Sequence, residues 1–271
     1  MVDLSIIIVS YNTKKLTLDC IKSVEKENSS LKKEIIVVDN GSKDGSVAAL
    51  GELKKNGLIK LVENDENLGF SKANNQGIDK ADGRYLLLLN SDTKVKKGAF
   101  RKLIRFAKEA TDAGVVGARL LNTDGSLQAS CLHFPTIKNA ILEYWFGKKG
   151  LLEKYAPHGK KPVEVDALVG AAFLITPQAK DTVGVLDERY FFYFEDIDYC
   201  RRVWRSGLKV YYLPEAEVIH YHGESGKALA DEKTQWRRLI PSSKIYHGLF
   251  KHYLITAILW SSQKWQKFLK R

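Results

Sequence analysis

Short runs of β-branched and aliphatic residues alternate with amphipathic stretches along the N-terminal third of the chain. Residues 4–10, 34–39, 58–63 and 84–90 read as strands, and residues 14–27, 44–55 and 70–80, with apolar positions at helical spacing, as helices. Strand, helix and strand in this rhythm predict a parallel sheet with right-handed crossovers. The first two strands run out into polar clusters, Ser10-Tyr11-Asn12 and Asp39-Asn40-Gly41-Ser42. Ligands of open α/β sheets bind at the carboxyl ends of the strands, so this edge is the expected binding edge. No Gly-x-Gly-x-x-Gly follows the first strand and no phosphate-loop motif occurs, which argues against a dinucleotide dehydrogenase or a P-loop kinase. Beyond residue 92 the pattern predicts a basic helix over 96–112, a strand over 115–121 and a turn at 122–125. A loop-rich insertion over 145–161 and a buried strand over 163–176 follow.

Three acidic or histidine-bearing segments carry candidate chemistry. Asn90-Ser91-Asp92 follows the apolar run 85–89, so the Asp92 carboxylate emerges at a strand end, where one or two carboxylates and substrate oxygens can hold Mg²⁺ or Mn²⁺. The same aspartate could simply cap the next turn. In the segment 191–202, four aromatics precede Glu195, Asp196 and Asp198 at the start of a predicted helix. Glu195 and Asp198 share a face and suit the helix dipole, whereas Asp196 points elsewhere. An aromatic wall would raise the basicity of Asp196 towards that of a hydroxyl-deprotonating group. His220 and His222 alternate on one side of a predicted strand end and offer a metal or diphosphate contact, or merely a satisfied polar side chain. The amide-rich stretch 64–75 opens a helix, with amides suited to a base or a sugar.

Composition narrows the class. With 271 residues, 44% apolar and 28% charged, the chain is globular. Its longest apolar run, 168–175, is far short of the roughly 18–20 residues that span a bilayer, and no signal peptide precedes residue 4; the cytosol is the expected compartment. Cys20, Cys131 and Cys200 show no metal or disulfide spacing and are expected to be buried. The net charge is +11, yet residues 233–271 hold nine Lys and Arg and no acidic residue, so the preceding residues stand at +2. Aromatics interleave that basic segment, as in peripheral anchors on anionic membranes. A closing helix with a solvated basic face is the plainer alternative, and a nucleic-acid contact is not expected.

In this order the motifs resemble the family 2 glycosyltransferases, whose catalytic domain has the GT-A fold. The likeness runs over residues 3–226, through Ser-Ile-Ile-Ile-Val-Ser-Tyr-Asn, Val-Val-Asp-Asn-Gly-Ser, Asn-Leu-Gly-Phe, Leu-Asn-Ser-Asp, Phe-Glu-Asp-Ile-Asp-Tyr-Cys-Arg-Arg and His-x-x-Gly-x-Ser. Within the family, the segment 243–253 adds a likeness to rhamnosyltransferase-type enzymes of cell-wall and surface-polysaccharide assembly.

The resemblance implies an α/β chain with a mostly parallel nucleotide-sugar-binding half over 1–95, a mixed acceptor-side half over 96–232 and a basic membrane-associating tail over 233–271. Tyr11, Asp39, Asn40 and Ser42 would hold the nucleotide, and Asn67, Gly69 and Asn74 would line its pocket with Asn90. Asp92 and His220 would hold a divalent cation, Mg²⁺ or Mn²⁺. Asn90 stands where the family motif has its first acidic residue, leaving one carboxylate there. Asp196, beside Glu195, would be the general base of an inverting transfer. The implied donor is dTDP-rhamnose, then a UDP-hexose or UDP-N-acetylhexosamine. The implied acceptor is a glycan or a polyprenyl-diphosphate-linked sugar at the inner face of the plasma membrane. A sugar-phosphate nucleotidyltransferase would need a glycine-rich basic loop after the first strand, where Ser10-Tyr11-Asn12-Thr13 stands instead. A non-catalytic nucleotide- or glycan-binding protein of this fold would not need the acidic set.

Overall fold

The computed structural model describes residues 2–27, 30–221 and 235–269. Its first half follows the alternation: β1 (Val2–Ser10), α1 (Lys14–Lys26), β2 (Lys33–Asn40), α2 (Ser46–Lys55), β3 (Lys60–Asn64), α3 (Phe70–Asp79) and β4 (Gly83–Leu89). Strands β3, β2, β1 and β4 lie side by side and parallel. Because successive strand residues face opposite sides, Ile6 and Ile8 enter one core with Cys20, Ile21 and Val24 of α1. Ile7 enters the other core with Ile78 of α3. Both faces of the sheet are thus covered, which is why β1 reads as a continuous aliphatic run. Each of these buried aliphatic side chains contributes about 1.5–3 kcal/mol relative to exposure.

The second half is mixed. It holds β5 (Thr93–Val95), α4 (Ala99–Glu109), β6 (Ala113–Leu121), β7 (Cys131–Leu132), α5 (Ile137–Tyr144), β8 (Val163–Glu164), β9 (Ala167–Leu168) and β10 (Ala172–Ile175). After these come α6 (Pro177–Val183), α7 (Glu195–Arg205), β11 (Lys209–His220), α8 (Gln235–His247) and α9 (Leu249–Leu269). Strand β10 inserts antiparallel between β4 and β6, and β11 runs parallel to β6 and antiparallel to β5 and β8. Strands β7 and β9 form a separate two-stranded ribbon.

Three sequence expectations need correction. The apolar run 163–176 is not one strand: it breaks into β8, β9 and β10, which serve two sheets, and the break at Gly170 gives its backbone N–H to a side chain of α7. The basic helix begins at Ala99 after Gly98, at φ +78°, because residues 93–95 pair with β11 instead. The segment after residue 233 also does more than a detached tail would. Tyr246 is buried in the second core, and the Arg201 guanidinium lies 3.9 Å from its ring centroid. Ser242 donates to the Phe192 carbonyl, and Ser262 to that of Tyr144. All three cysteines are buried, as expected. Among the described residues no helix is long and apolar enough to cross a membrane.

Candidate active site

The carboxyl ends of β1, β2 and β4 face the start of α7 across a cavity of about 1010 Å³, at the upper end of the range for small-molecule sites. Tyr11, Asn40, Asn67, Gly69 and Asn90 form one side of it, and Glu195, Asp196 and His220 line another. Asp39, Ser42, Asn74 and Asp92 stand outside that lining.

On the first side the polar groups mostly satisfy one another. Asn40 donates to Asn67 Oδ1 at 2.8 Å and to the Gly69 carbonyl, and accepts from the Leu68 N–H and from Asn64. Asn74 donates back to the Phe70 carbonyl, and Ser42 Oγ accepts from the Asn12 N–H. Asp39 is completely buried; its Oδ1 accepts from the Ser42 N–H, and Oδ2 has no hydrogen-bond partner among the described residues. Asn90 Oδ1 is likewise buried without a partner. A buried acceptor left open costs about 1–3 kcal/mol, and of these two residues Asn90 belongs to the cavity lining, so its Oδ1 is the ligand-seeking group of this side.

Gly69 joins the two sides. At φ +89° it adopts a conformation that glycine tolerates, and a Cβ there would lie 2.7 Å from the Phe191 carbonyl oxygen. That carbonyl accepts from the Phe70 N–H at 2.7 Å, locking the β3–α3 loop to the segment before α7. Tyr193 and Phe194 then take φ of 70° and 71°, costing about 1–3 kcal/mol each for non-glycine residues. This strained turn aims Glu195 and Asp196 at the cavity.

Asp196 Oδ2 accepts from the Gly170 N–H at 3.1 Å and Oδ1 from the Ile197 N–H at 2.8 Å. Burial pushes its pKa above the usual carboxylate value, and the two backbone N–H groups and Lys154 oppose the rise. Glu195 is buried against Leu88, Phe173 and Leu186, and its Oε2 has no partner among the described residues. Burial first, then the Asp196 charge, raises its pKa well above normal. Asp198 belongs to another network, 2.9 Å from both Arg201 and Arg202.

The Asp92 and His220 pair comes together as expected: His220 Nε2 lies 3.4 Å from Asp92 Oδ1. Gln128, with no sequence signal beyond its place after the 122–125 turn, sets the ring. Its amide nitrogen donates to the His220 carbonyl at 3.1 Å and to Asn122, which turns Oε1 towards His220 Nδ1 at 2.7 Å. Nδ1 therefore carries a proton, and Nε2 is the ring nitrogen turned to the carboxylate. A lone pair and a carboxylate oxygen directed at one point suit a divalent cation whose remaining ligands are substrate oxygens. Among the described residues no third His, Cys, Asp or Glu completes the set, and His222 lies outside them.

The sequence profile described as Glycosyl transferase family 2 matches residues 5–162. The chain is 28% identical over 208 residues to the N-acetylglucosaminyl-diphospho-decaprenol L-rhamnosyltransferase of Mycobacterium tuberculosis, covering 70% of this chain and 67% of that one. It is 24% identical over 222 residues to the dTDP-rhamnosyl transferase RfbF of Shigella flexneri, covering 80% and 69%. In fold it is similar to the crystal structure of GalNAc-T7 with UDP, GalNAc and Mn²⁺, with a TM-score of 0.65 at 19% identity. That match covers 81% of this chain and 44% of the other.

Proposed function

The chain belongs to glycosyl transferase family 2, and from that premise we propose that it moves rhamnose from dTDP-rhamnose to a polyprenyl-diphosphate-linked glycan, with inversion at the anomeric carbon. The observation that carries the reading is Asp196: one carboxylate, fixed by two backbone N–H groups and made more basic by burial, on the wall of a cavity large enough for two substrates.

The donor nucleotide lies along the ends of β1 and β2, with Tyr11 against the base. Asp39 acts from behind the cavity wall by holding the Ser42 N–H at the end of β2, and Asn67 and Asn90 face the sugar. Asn74 and Ser42 act by shaping the loops. Asp92 and His220 would hold a divalent cation, which would supply neutralisation of the departing diphosphate. Asp196 takes the proton of the acceptor hydroxyl as that oxygen attacks the anomeric carbon from the face opposite the leaving group. Burial and the neighbouring Asp196 charge raise the Glu195 pKa, which disfavours a second negative charge beside the attacking oxygen.

The acceptor places the protein at the inner face of the plasma membrane. Leu249, Phe250, Tyr253 and Trp260 project from α9 into solvent together with Trp145 and Phe146, and Lys251 and Lys264 stand on the same helix. This apolar and basic surface supports peripheral association with anionic lipid.

A thermal-shift and hydrolysis panel of nucleotide-sugars with Mn²⁺ tests the proposal. A ligand at 100 times its dissociation constant adds about 2.7 kcal/mol to the folded state, and dTDP-rhamnose is expected to give the largest shift and measurable hydrolysis. Stabilisation by UDP-sugars without any by dTDP-rhamnose would replace the donor; no shift and no hydrolysis with any nucleotide-sugar would remove the activity.

A further inference from the structure

The cavity continues past Asp196 and changes character. Its far end is walled by Tyr144 of α5, Leu152, Leu239 and Ile240 of α8, and Ile255 and Leu259 of α9. This end is almost uncharged. Burial, then His252 and nearby cations, pushes the His247 imidazole down to about 4, and burial also lowers His252, whose Nδ1 meets Ser243 Oγ at 2.9 Å. Lys154 lines the same cavity, two residues on from Leu152 of the aliphatic end. Among the described lining residues it is the only Lys or Arg, it makes no hydrogen bond or ion pair, and it is near enough to Asp196 to lower its pKa. Along the cavity the order is therefore aliphatic wall, free ammonium, general base.

An isoprenoid diphosphate bearing a sugar has the same order: hydrocarbon chain, diphosphate, hydroxyl. A free glycan would ask for amides and carboxylates, whereas this end offers Leu152, Leu239, Ile240, Ile255 and Leu259 with Tyr144 and no amide or carboxylate side chain. Helix α9 carries apolar residues outside as well as inside, with Leu249, Phe250 and Tyr253 exposed beside Lys251 and Lys264, as expected of a helix set between an anionic lipid surface and a lipid-binding wall.

We propose that the end of the cavity enclosed by α5, α8 and α9 seats the hydrocarbon chain of an isoprenoid-diphosphate acceptor, with Lys154 on its diphosphate. This deepens the glycosyltransferase reading and rests on it. The acceptor end then belongs to residues 137–155 and 239–259, outside the strand ends that hold the nucleotide, so both ligands bind at once.

The test is calorimetry on the full chain with farnesyl diphosphate below its micelle concentration, with and without saturating dTDP and Mn²⁺. Inorganic diphosphate and farnesol serve as the two half-ligands. Farnesyl diphosphate is expected to bind the dTDP-loaded protein, and each half-ligand at least about tenfold more weakly, as loss of one charged or apolar contact implies. Ile255→Trp, which fills the channel, and Lys154→Met are each expected to weaken farnesyl diphosphate about tenfold while dTDP affinity changes less than about twofold. Leu239→Gln, at a 39% exposed position, takes the place of Ile255→Trp if that variant does not fold. Displacement of farnesyl diphosphate by dTDP, or equal binding to wild type and all variants, would overturn the proposal. If dTDP binds and nucleotide-sugar is turned over while farnesyl diphosphate fails, the channel alone falls. If the probe behaves as expected and no nucleotide-sugar is turned over, the glycosyltransferase reading falls and the hydrocarbon site stands.

Discussion

Residues 2–95 and residues 96–269 build the same cavity by different means. In the first part strands alternate with helices that cover the two faces of the sheet, and the polar groups at the strand ends hold one another, as Asn40 holds Asn67 and the loop to Gly69. In the second part each reactive group is held by a residue far away in sequence: Asp196 by Gly170, and His220 by Gln128. The first arrangement gives a rigid recognition surface with a few open oxygens. The second places groups whose burial would be costly without cargo, and so concentrates chemistry there. Disturbing the cation pair at the junction should change ligand affinity, whereas disturbing the carboxylates of the second part should change proton chemistry.

The largest effect on ligand affinity is expected at the junction, where Asp92 of the first part meets His220 of the second. Asp92→Ala should abolish the gain in dTDP affinity that Mn²⁺ gives the wild type. Gln128→Leu, which frees the His220 ring without touching either ligating atom, should weaken Mn²⁺ binding by about 10- to 100-fold, the usual cost of losing an orienting partner. Isothermal titration with Mn²⁺ and dTDP checks both; an unchanged Mn²⁺ affinity in Gln128→Leu would show that the ring is oriented by other contacts.

A smaller effect is expected from Glu195. Its folded pKa is raised, so over a pH window above the ordinary carboxylate value of 4.5 the folded chain keeps a proton that the unfolded chain has lost. Stability must fall as pH rises through that window, up to the folded pKa. Glu195→Gln removes this proton linkage, and its melting temperature should fall less than that of the wild type as pH rises above 4.5. Parallel melting curves for the two proteins would place Glu195 in a better-solvated site than the apolar pocket described.

How far the sequence could be read follows the same division. The boundaries of β1 to β4 and α1 to α3 fall within a few residues of the hydrophobic alternation, because strands buried on both faces and helices buried on one carry different apolar periods. Asp92, Asp196 and His220 were legible because they end strands or open a helix. Gln128 and Lys154 were not, since a glutamine in a turn region and a lysine in a loop-rich segment acquire meaning only through partners 92 and 42 residues away. The run 163–176 looked like one strand because periodicity cannot show that Val165 pairs with Val210 while Gly170 turns to Asp196. Charge and aromatic content marked the segment after residue 233 as a surface element, and only the fold reveals its inner face, with Tyr246 in the core.

The central claim, that Asp196 is the base of a glycosyl transfer, is tested most directly by comparing turnover of dTDP-rhamnose onto a lipid-linked acceptor by wild type and Asp196→Asn. The variant preserves the shape of the side chain and keeps an oxygen for one of the two backbone N–H groups, but it cannot accept the hydroxyl proton. Turnover should fall by roughly 10²- to 10⁴-fold, the usual share of a general base, with dTDP affinity unchanged. Turnover within about threefold of wild type, at equal dTDP affinity, would contradict the account.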